Sequence, residues 1–291
     1  LERIFNEFFW KGTTLTSLII PTDFDNAVTS LRKFFHSRGF LEVHTQNRLS
    51  ILAACEDPTT VATYNYNDII WPLPQTGQMW LEYELLNNPD LKGVFCVSTS
   101  YRQEQNPVEG RHEVIFPMFE FEAPGDFIDL LNMERDLVYH LGIADKGTEP
   151  FPEKGYGMWC EDFDCDELDH EHEQMISDSH PSRVGFITKF PYHTSPFWNM
   201  KKEGDLANKC DVIMAGMETI GSAERSADPE EMENQFHTIS NGEYAELLFK
   251  LFGKERVEKE LKEFLSHKFF PRYGGGIGLT RLIRALKIND A

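Results

Sequence analysis

Ten residues, Arg272-Tyr273-Gly274-Gly275-Gly276-Ile277-Gly278-Leu279-Thr280-Arg281, constrain this chain more than any others. Glycines in such close succession leave a stretch of backbone with almost no Cβ atoms, so another group can approach it closely. Leu282 to Leu286 then read as a helix, which puts Arg281 where a glycine-rich strand or turn passes into that helix. On these residues alone a sharp turn and a ligand-bearing surface are both open. A Walker phosphate loop is not, because the Gly-Lys-Ser/Thr ending is missing.

The rest of the chain supplies strands and helices without regular alternation. Phe24, Ala27, Val28, Leu31, Phe34 and Phe35 fall at helical spacing, with Asp23 or Asp25 as the cap and Gly39 as the end. Phe40 to Val43, Val94 to Ser98, Val114 to Glu122, Arg183 to Lys189 and Lys209 to Ala215 read as strands. Asp126 to Leu141 reads as an amphipathic helix, and Glu243 to Ser266 as one long charged helix. The pattern predicts an α+β fold with a mostly antiparallel sheet. One catalytic domain over residues 1–291 is expected, with its core at about 20–287 and an acidic, helical, peripheral segment at about 146–182.

Two further segments carry polar chemistry. Tyr101-Arg102-Gln103-Glu104, a polar loop, and Arg111-His112-Glu113-Val114-Ile115-Phe116 form a candidate hairpin. Its guanidinium forks suit phosphate oxygens, and Phe116 offers a flat face for a base. Surface ion pairing of Arg102 with Glu104 or Glu109 is the alternative. Asp211 and Glu218 flank a strand turn, where their oxygens suit a Mg²⁺ carried by phosphates. A solvent-exposed acidic pair is the alternative there.

Taken together and in chain order, these segments resemble motifs 2 and 3 of the class II aminoacyl-tRNA synthetases. The motif 2 pattern, Phe-Arg-x-Glu, loop, Arg-His-x-x-x-Phe, matches Tyr101 to Glu104 and Arg111 to Phe116; motif 3 matches Gly274 to Arg281 without a gap. Phe34 to Thr45 resembles motif 1, with Gln46 in place of its proline. The resemblance is closest to the asparaginyl, aspartyl and lysyl subgroup. Leu73 to Glu82 is similar to the asparaginyl enzymes' Ser-Gly-Gln-Leu-x-x-Glu, and Ser195 to Met200 to the subgroup's Pro-Phe-Tyr-x-Met. Asp211 to Arg225 is similar to its Asp-x-x-x-x-Gly-x-Glu, small-residue turn, Arg. Ile115 replaces a frequent motif 2 Glu, and Thr280 replaces the acid before the motif 3 Arg.

The resemblance implies an antiparallel sheet flanked by helices, on which ATP lies bent. By motif position, Arg102 would hold the α-phosphate and Arg281 the γ-phosphate, and both would be catalytic. Glu104 would accept from the adenine amino group, and Phe116 would stack on adenine with Arg281 on its other face. His112 would reach the outer phosphates, and Arg111, Gly276 and Gly278 would also belong to the ATP site. Asp211 and Glu218 would anchor Mg²⁺. Glu120 would meet the α-amino group and Arg225 the side-chain end, with Gln75, Gln78 and Glu82 completing the amino-acid pocket. No lysine lies beside Leu81 to pair a second carboxylate, which favours a neutral amide such as asparagine over aspartate.

The expected reaction is ATP-dependent activation of an amino acid as its adenylate. The acceptor is less determined. With 48 acidic against 28 basic residues the net charge is −20, so a tRNA backbone would meet a repulsive average field. About twenty residues precede the first helix, too few for an anticodon-binding barrel. A non-tRNA acceptor is therefore expected, such as ammonia, a small amine or a protein lysine. Stand-alone relatives such as archaeal-type asparagine synthetase and the lysyltransferase acting on elongation factor P show the type. A truncated asparaginyl-tRNA synthetase and an inactive binding paralogue are the alternatives. A homodimer follows from the motif 1 resemblance. Five scattered cysteines point to reduced thiols in the cytoplasm, and no apolar run is long enough for a bilayer. Leu1 in place of Met points to a missing or processed N-terminus. His170-Glu171-His172-Glu173 lacks the i, i+4 histidine spacing of a helical zinc site and is read as non-metal.

Overall fold

The structure is a computed structural model that describes residues 19–46, 58–103, 113–145, 147, 150–194 and 197–289. Among the described residues, the chain builds a nine-stranded sheet. In chain order its strands are β1 (Leu41–Glu42), β4 (Val94–Tyr101), β5 (Ile115–Pro124), β6 (Glu153–Gly155), β7 (Val184–Pro191), β8 (Lys202–Glu203), β9 (Leu206–Met214), β10 (Met217–Arg225) and β11 (Arg272–Gly278). A separate hairpin pairs β2 (Thr63–Tyr66) with β3 (Ile69–Pro72). The main sheet runs β1-β4-β5-β11-β10-β9-β7-β6, with β8 on β9. Its centre is antiparallel; only the outer pairs β1/β4 and β6/β7 are parallel. The last strand in sequence, β11, thus lies between β5 and β10 in the middle of the sheet.

Alternation along these strands divides the sheet into an apolar and a polar face. Phe95, Phe119, Phe121, Phe186, Val212, Ile220 and Ile277 point to the apolar face, all fully buried. Three helices cover it: α1 (Pro21–Ser37), α3 (Phe127–His140) and α9 (Leu279–Asn289). Phe35 of α1 sits within 5.7 Å, centroid to centroid, of Phe95, Phe119 and Phe121, an aromatic cluster that locks helix to sheet. Asp126 caps α3 by accepting from the Ile128 and Asp129 backbone N–H groups, and Asp129 accepts from the Asp126 N–H in return.

Helix α2 (Gln78–Asn87) lies over the polar face. It packs through Met79, Trp80 and Leu86 into a cluster with α6 (Pro229–Thr238), α7 (Glu243–Phe252) and α8 (Lys254–Leu265). The acidic stretch after residue 146 supplies edge strand β6 and helices α4 (Tyr156–Phe163) and α5 (His170–Asp178).

Two local expectations are corrected. The single helix over Glu243 to Ser266 is two helices, because Gly253 adopts φ +88°, ψ 131° and breaks the run. Helix α1 has no aspartate cap: Ile20 is the N-cap without a side-chain bond, and Pro21 starts the helix with its fixed φ, leaving Asp23 in the first turn.

Candidate active site

The pairing register aligns the polar face into rows. One row crosses the sheet as Cys96, Glu120, Gly276, Gly221, Asp211 and Ile187. The next reads Val94, Glu122, Gly274, Ala223 and Lys209. Between Glu120 and Glu122 of β5 and Asp211 and Lys209 of β9 the floor is therefore glycine and alanine, a trough three strand spacings wide, or about 14 Å. The glycines are required by close approach. A Cβ on Gly276 would come 2.7 Å from Met118 Cε and 3.4 Å from Gln78 Nε2, and one on Gly221 would come 2.8 Å from Glu218 Oε1. A Cβ on Gly274 would collide with the Glu122 carboxylate.

At the β5 end the expected amino-acid residues converge and are sealed. Arg225 donates through Nη2 to Gln78 Oε1 at 2.9 Å and faces Glu122 with both Nε and Nη2. Its Nε lies 3.7 Å from Glu82 Oε1. Glu82 accepts from Asn199 Nδ2 at 2.6 Å and from both Nε and Nη2 of Arg272. Glu82, Glu122, Arg225 and Arg272 are each at most 2% exposed. Two buried guanidiniums thus face two buried carboxylates, which offsets the desolvation cost that each charge alone would carry. Burial still raises the Glu122 carboxyl to about 7; Arg225 pulls it down and Glu82 pushes it further up.

Glu120 has its own hydrogen-bond partners. Its carboxylate accepts from the Gly77 backbone N–H at 2.8 and 3.0 Å and from the Thr76 and Ser98 hydroxyls, which ties β5 to the start of α2. Gln75, before that helix, donates to Thr60 Oγ1 at 2.6 Å.

Acidic side chains and Arg281 define the far end. Arg281 Nη1 donates to the Glu218 carbonyl at 2.7 Å and lies 3.7 Å from its carboxylate. Asp211 Oδ2 accepts from Lys209 Nζ at 2.8 Å. Its Oδ1 is buried with no hydrogen-bond partner among the described residues. Burial raises Asp211 to about 7, with Lys209 opposing and Glu218 and Glu173 adding to the rise. Asp211 and Glu218 both reach towards Gly221, so two hard oxygen donors, one of them orphaned, border the same space. That set fits a magnesium ion, which takes one or two carboxylates and completes its shell with water and phosphate oxygens.

Arg102 directly follows β4, bridging to Val61, with its guanidinium 5.5 Å from the Phe116 ring centroid, within cation–π range. Gly278 lies in the row of Ser98 and Met118, where the nearest atoms to an added Cβ belong to Arg281. Glu104, Arg111, His112, Ser195 and Pro196 lie outside the described residues.

Sequence reading missed Glu122, Arg272, Lys209, Asn199 and Glu173. Glu122 carried a signal, since it follows Glu120 by two in a strand and must share its face. Arg272 carried the same signal, two residues before Gly274. Nothing in the sequence pairs Arg272 with Glu82, 190 residues away. In the His-Glu-His-Glu segment, His172 accepts the Asp169 N–H at 3.1 Å and stacks on Phe163, capping its own helix.

Residues 23–290 match the family model described as class II tRNA synthetases (D, K and N). Aspartate–tRNA(Asp) ligase of Thermoplasma acidophilum is 24% identical over 286 residues, covering 88% of this chain and 62% of the relative. Cytoplasmic asparagine–tRNA ligase of Mus musculus is 28% identical over 236 residues, covering 69% of this chain and 41% of the relative. The chain thus spans about three fifths or less of these relatives' lengths. The crystal structure of asparaginyl-tRNA synthetase from Pyrococcus horikoshii with asparaginyl-adenylate superposes with a TM-score of 0.75 at 21% identity, covering 92% of this chain and 65% of that one. At that identity the likeness speaks to the fold.

Proposed function

This chain belongs to the family of class II tRNA synthetases (D, K and N), and from that premise we propose that it activates an amino-acid carboxylate with ATP, forming an aminoacyl-adenylate and releasing pyrophosphate. The observation that carries the reading is the trough of Gly221, Gly274, Gly276 and Gly278, with a sealed polar pocket at one end and Arg281, Asp211 and Glu218 at the other. An amino acid and a triphosphate need those two ends.

In the proposed reaction a substrate carboxylate oxygen attacks the α-phosphorus, and the bond to the bridging oxygen of pyrophosphate breaks. No side chain need take a proton, because the nucleophile is already an anion. Catalysis is alignment together with neutralisation of charge developing on the phosphates. Arg102 serves the α-phosphate and Arg281 the γ-phosphate, and Phe116 gives adenine a face. Asp211 and Glu218 hold magnesium, which neutralises phosphate charge when bound with the nucleotide. Arg225 and Gln78 face the substrate side chain. Glu82 acts from behind, fixing Arg225 through the Arg272 network, and Gln75 supports the entry to α2 through Thr60. Glu120 takes the α-amino group while anchored to Gly77. Glu104, Arg111 and His112 keep the nucleotide-binding roles given by motif position.

For the substrate we propose asparagine, aspartate or an analogue, with a neutral side chain preferred. Arg225 already faces Glu122, so a second carboxylate there would find its cation shared. For the acceptor we propose a non-tRNA amine: ammonia, a small amine or a protein lysine. Its nitrogen attacks the adenylate carbonyl carbon and AMP leaves. The net charge of −20 supports that choice. The names of the two relatives described above, both tRNA ligases, favour the second reading, in which the chain charges tRNA. We further propose a homodimer working in the cytoplasm. No helix among the described residues is long and apolar enough to cross a membrane.

Pyrophosphate exchange across the twenty amino acids, followed by product analysis with tRNA, ammonia and amines, tests the reading. Exchange with one or two small polar amino acids is expected. Absence of exchange with all twenty, despite ATP binding, overturns it.

A further inference from the structure

Glu173 lies outside the motifs that carry the proposed reaction, yet it reaches into the acidic end of the trough. It stands half-buried on α5, and its Oε2 accepts the backbone N–H of Glu218, 45 residues away, at 3.1 Å. The carbonyl of the same Glu218 accepts from Arg281 Nη1 at 2.7 Å. The Glu218 backbone is therefore gripped at both its N–H and its C=O, by a carboxylate and a guanidinium from opposite parts of the chain.

The grip falls where the strand is least regular. The β9–β10 turn passes through Ala215 at φ +50° and Gly216 at φ +82°, and the β10 register shifts between Glu218 and Ile220. A backbone at a bulge can re-aim its side chain by a small rotation, so something beyond the ladder must fix it. Helix α5 is anchored independently of Glu173. Ile176 is fully buried against Gly185, and Ser177 Oγ donates to the Arg183 carbonyl at 2.9 Å. Gln174 fills the space over Gly216. The helix is thus a fixed platform from which Glu173 projects.

We infer that Glu173 is a positioning residue for the cation-binding end of the trough: by holding the Glu218 N–H it aims the Glu218 carboxylate and Arg281 into one space. The inference rests on the proposed assignment of Asp211 and Glu218 to magnesium. Outer groups that orient metal ligands typically change metal affinity 10- to 100-fold when removed, and the lower end of that range applies to a backbone contact.

The test is Mn²⁺ binding to the full chain with a non-hydrolysable ATP analogue, read by electron paramagnetic resonance, alongside the Mg²⁺ dependence of pyrophosphate exchange. Glu173→Ala is expected to weaken Mn²⁺ about 10-fold and to raise half-saturating Mg²⁺ in parallel. Glu173→Gln keeps an acceptor oxygen for the Glu218 N–H and is expected within about 3-fold of wild type. Gln174→Ala, which disturbs the same helix without touching Glu218, is expected within 2-fold. If Glu173→Ala does not fold, Glu173→Asp, one methylene shorter, takes its place. Equal binding by wild type and the disabling variant overturns the inference and leaves the proposed function standing. Equal loss in Glu173→Gln, or in Gln174→Ala, overturns it as well. Unchanged binding in Glu218→Ala removes the cation from this end, and the magnesium assignment falls together with the inference, while pyrophosphate exchange by the same variant shows whether the adenylation reading still stands.

Discussion

Arg225 and Glu122 meet side-on over Gly274 at the β5 end of the trough, Nε to Oε1 at 3.2 Å and Nη2 to Oε2 at 3.2 Å, with neither side chain more than 2% exposed. The pair spans 103 residues and joins β10 to β5 across β11. Removing one member leaves an uncompensated buried charge, which costs about 3–5 kcal/mol. Arg225→Met is expected to lower unfolding stability by that amount in urea titrations. Glu122→Met added to it is expected to restore much of the loss, because the second change removes the orphaned carboxylate.

The glycines of β11 differ in what they protect. A Cβ at Gly274 meets the Glu122 carboxylate and comes 2.6 Å from the Phe121 backbone oxygen, which cannot yield. A Cβ at Gly276 meets the end of the Met118 side chain, which can turn aside. Gly274→Ala is therefore expected to be destabilised by about 3 kcal/mol or to accumulate unfolded. Gly276→Ala is expected to fold with a loss nearer 1 kcal/mol, and to raise the KM for the amino acid by roofing over the trough floor. Thermal melts and exchange kinetics on the two proteins distinguish these outcomes.

Much of this frame is legible in the amino-acid sequence. The glycine run marked backbone open to close approach with Arg281 at its end, and Val94 to Ser98 and Val114 to Glu122 read as strands, although which face was apolar and which strand was central came only with the fold. Helix α3 was legible from its amphipathic spacing, because that pattern is local, while the capping role of Asp126 is read from the structure. What stayed hidden depends on register between distant strands. Glu82 finds Arg272 only once β11 has been inserted between β5 and β10, and no local pattern encodes that choice. The break at Gly253 was hidden for another reason: apolar spacing continues on both sides of it, so a positive φ at one glycine divides what periodicity joins.

Glu134 gives an unusual pH dependence. It sits on α3, fully buried, near the Ser222 hydroxyl and the Cys210 thiol, which oppose its rise without cancelling it. Burial raises it to about 8, and burial likewise raises Glu122 and Asp211 to about 7. An unfolded carboxyl titrates near pH 4. Between the two values the folded state binds more protons than the unfolded state, so stability falls as pH rises through that window. Wild type is expected to be more stable at pH 5.5 than at pH 8.5. Glu134→Gln, neutral at every pH, is expected to flatten the curve by on the order of 2–4 kcal/mol. Urea midpoints at the two pH values check this; parallel curves for the two proteins would refute it.

Under the proposed function Arg281 must do two things with one side chain. It donates to the Glu218 carbonyl at 2.7 Å, and it must also present charge to the outer phosphates. A guanidinium can do both, because its donors form a rigid fork; an ammonium is a point charge on a flexible stem. Arg281→Lys is therefore expected to keep nucleotide binding within several-fold while lowering kcat for pyrophosphate exchange. Arg281→Ala is expected to lose on the order of 10²–10³ in kcat, comparable to removing one preorganised donor at a developing negative charge. Since Glu218 also loses one of its two backbone anchors, the Mg²⁺ concentration needed for half-maximal exchange should rise in both variants. A fall in kcat without any change in Mg²⁺ dependence would separate the phosphate contact from the hold on Glu218, and would leave only the first as a function of this arginine.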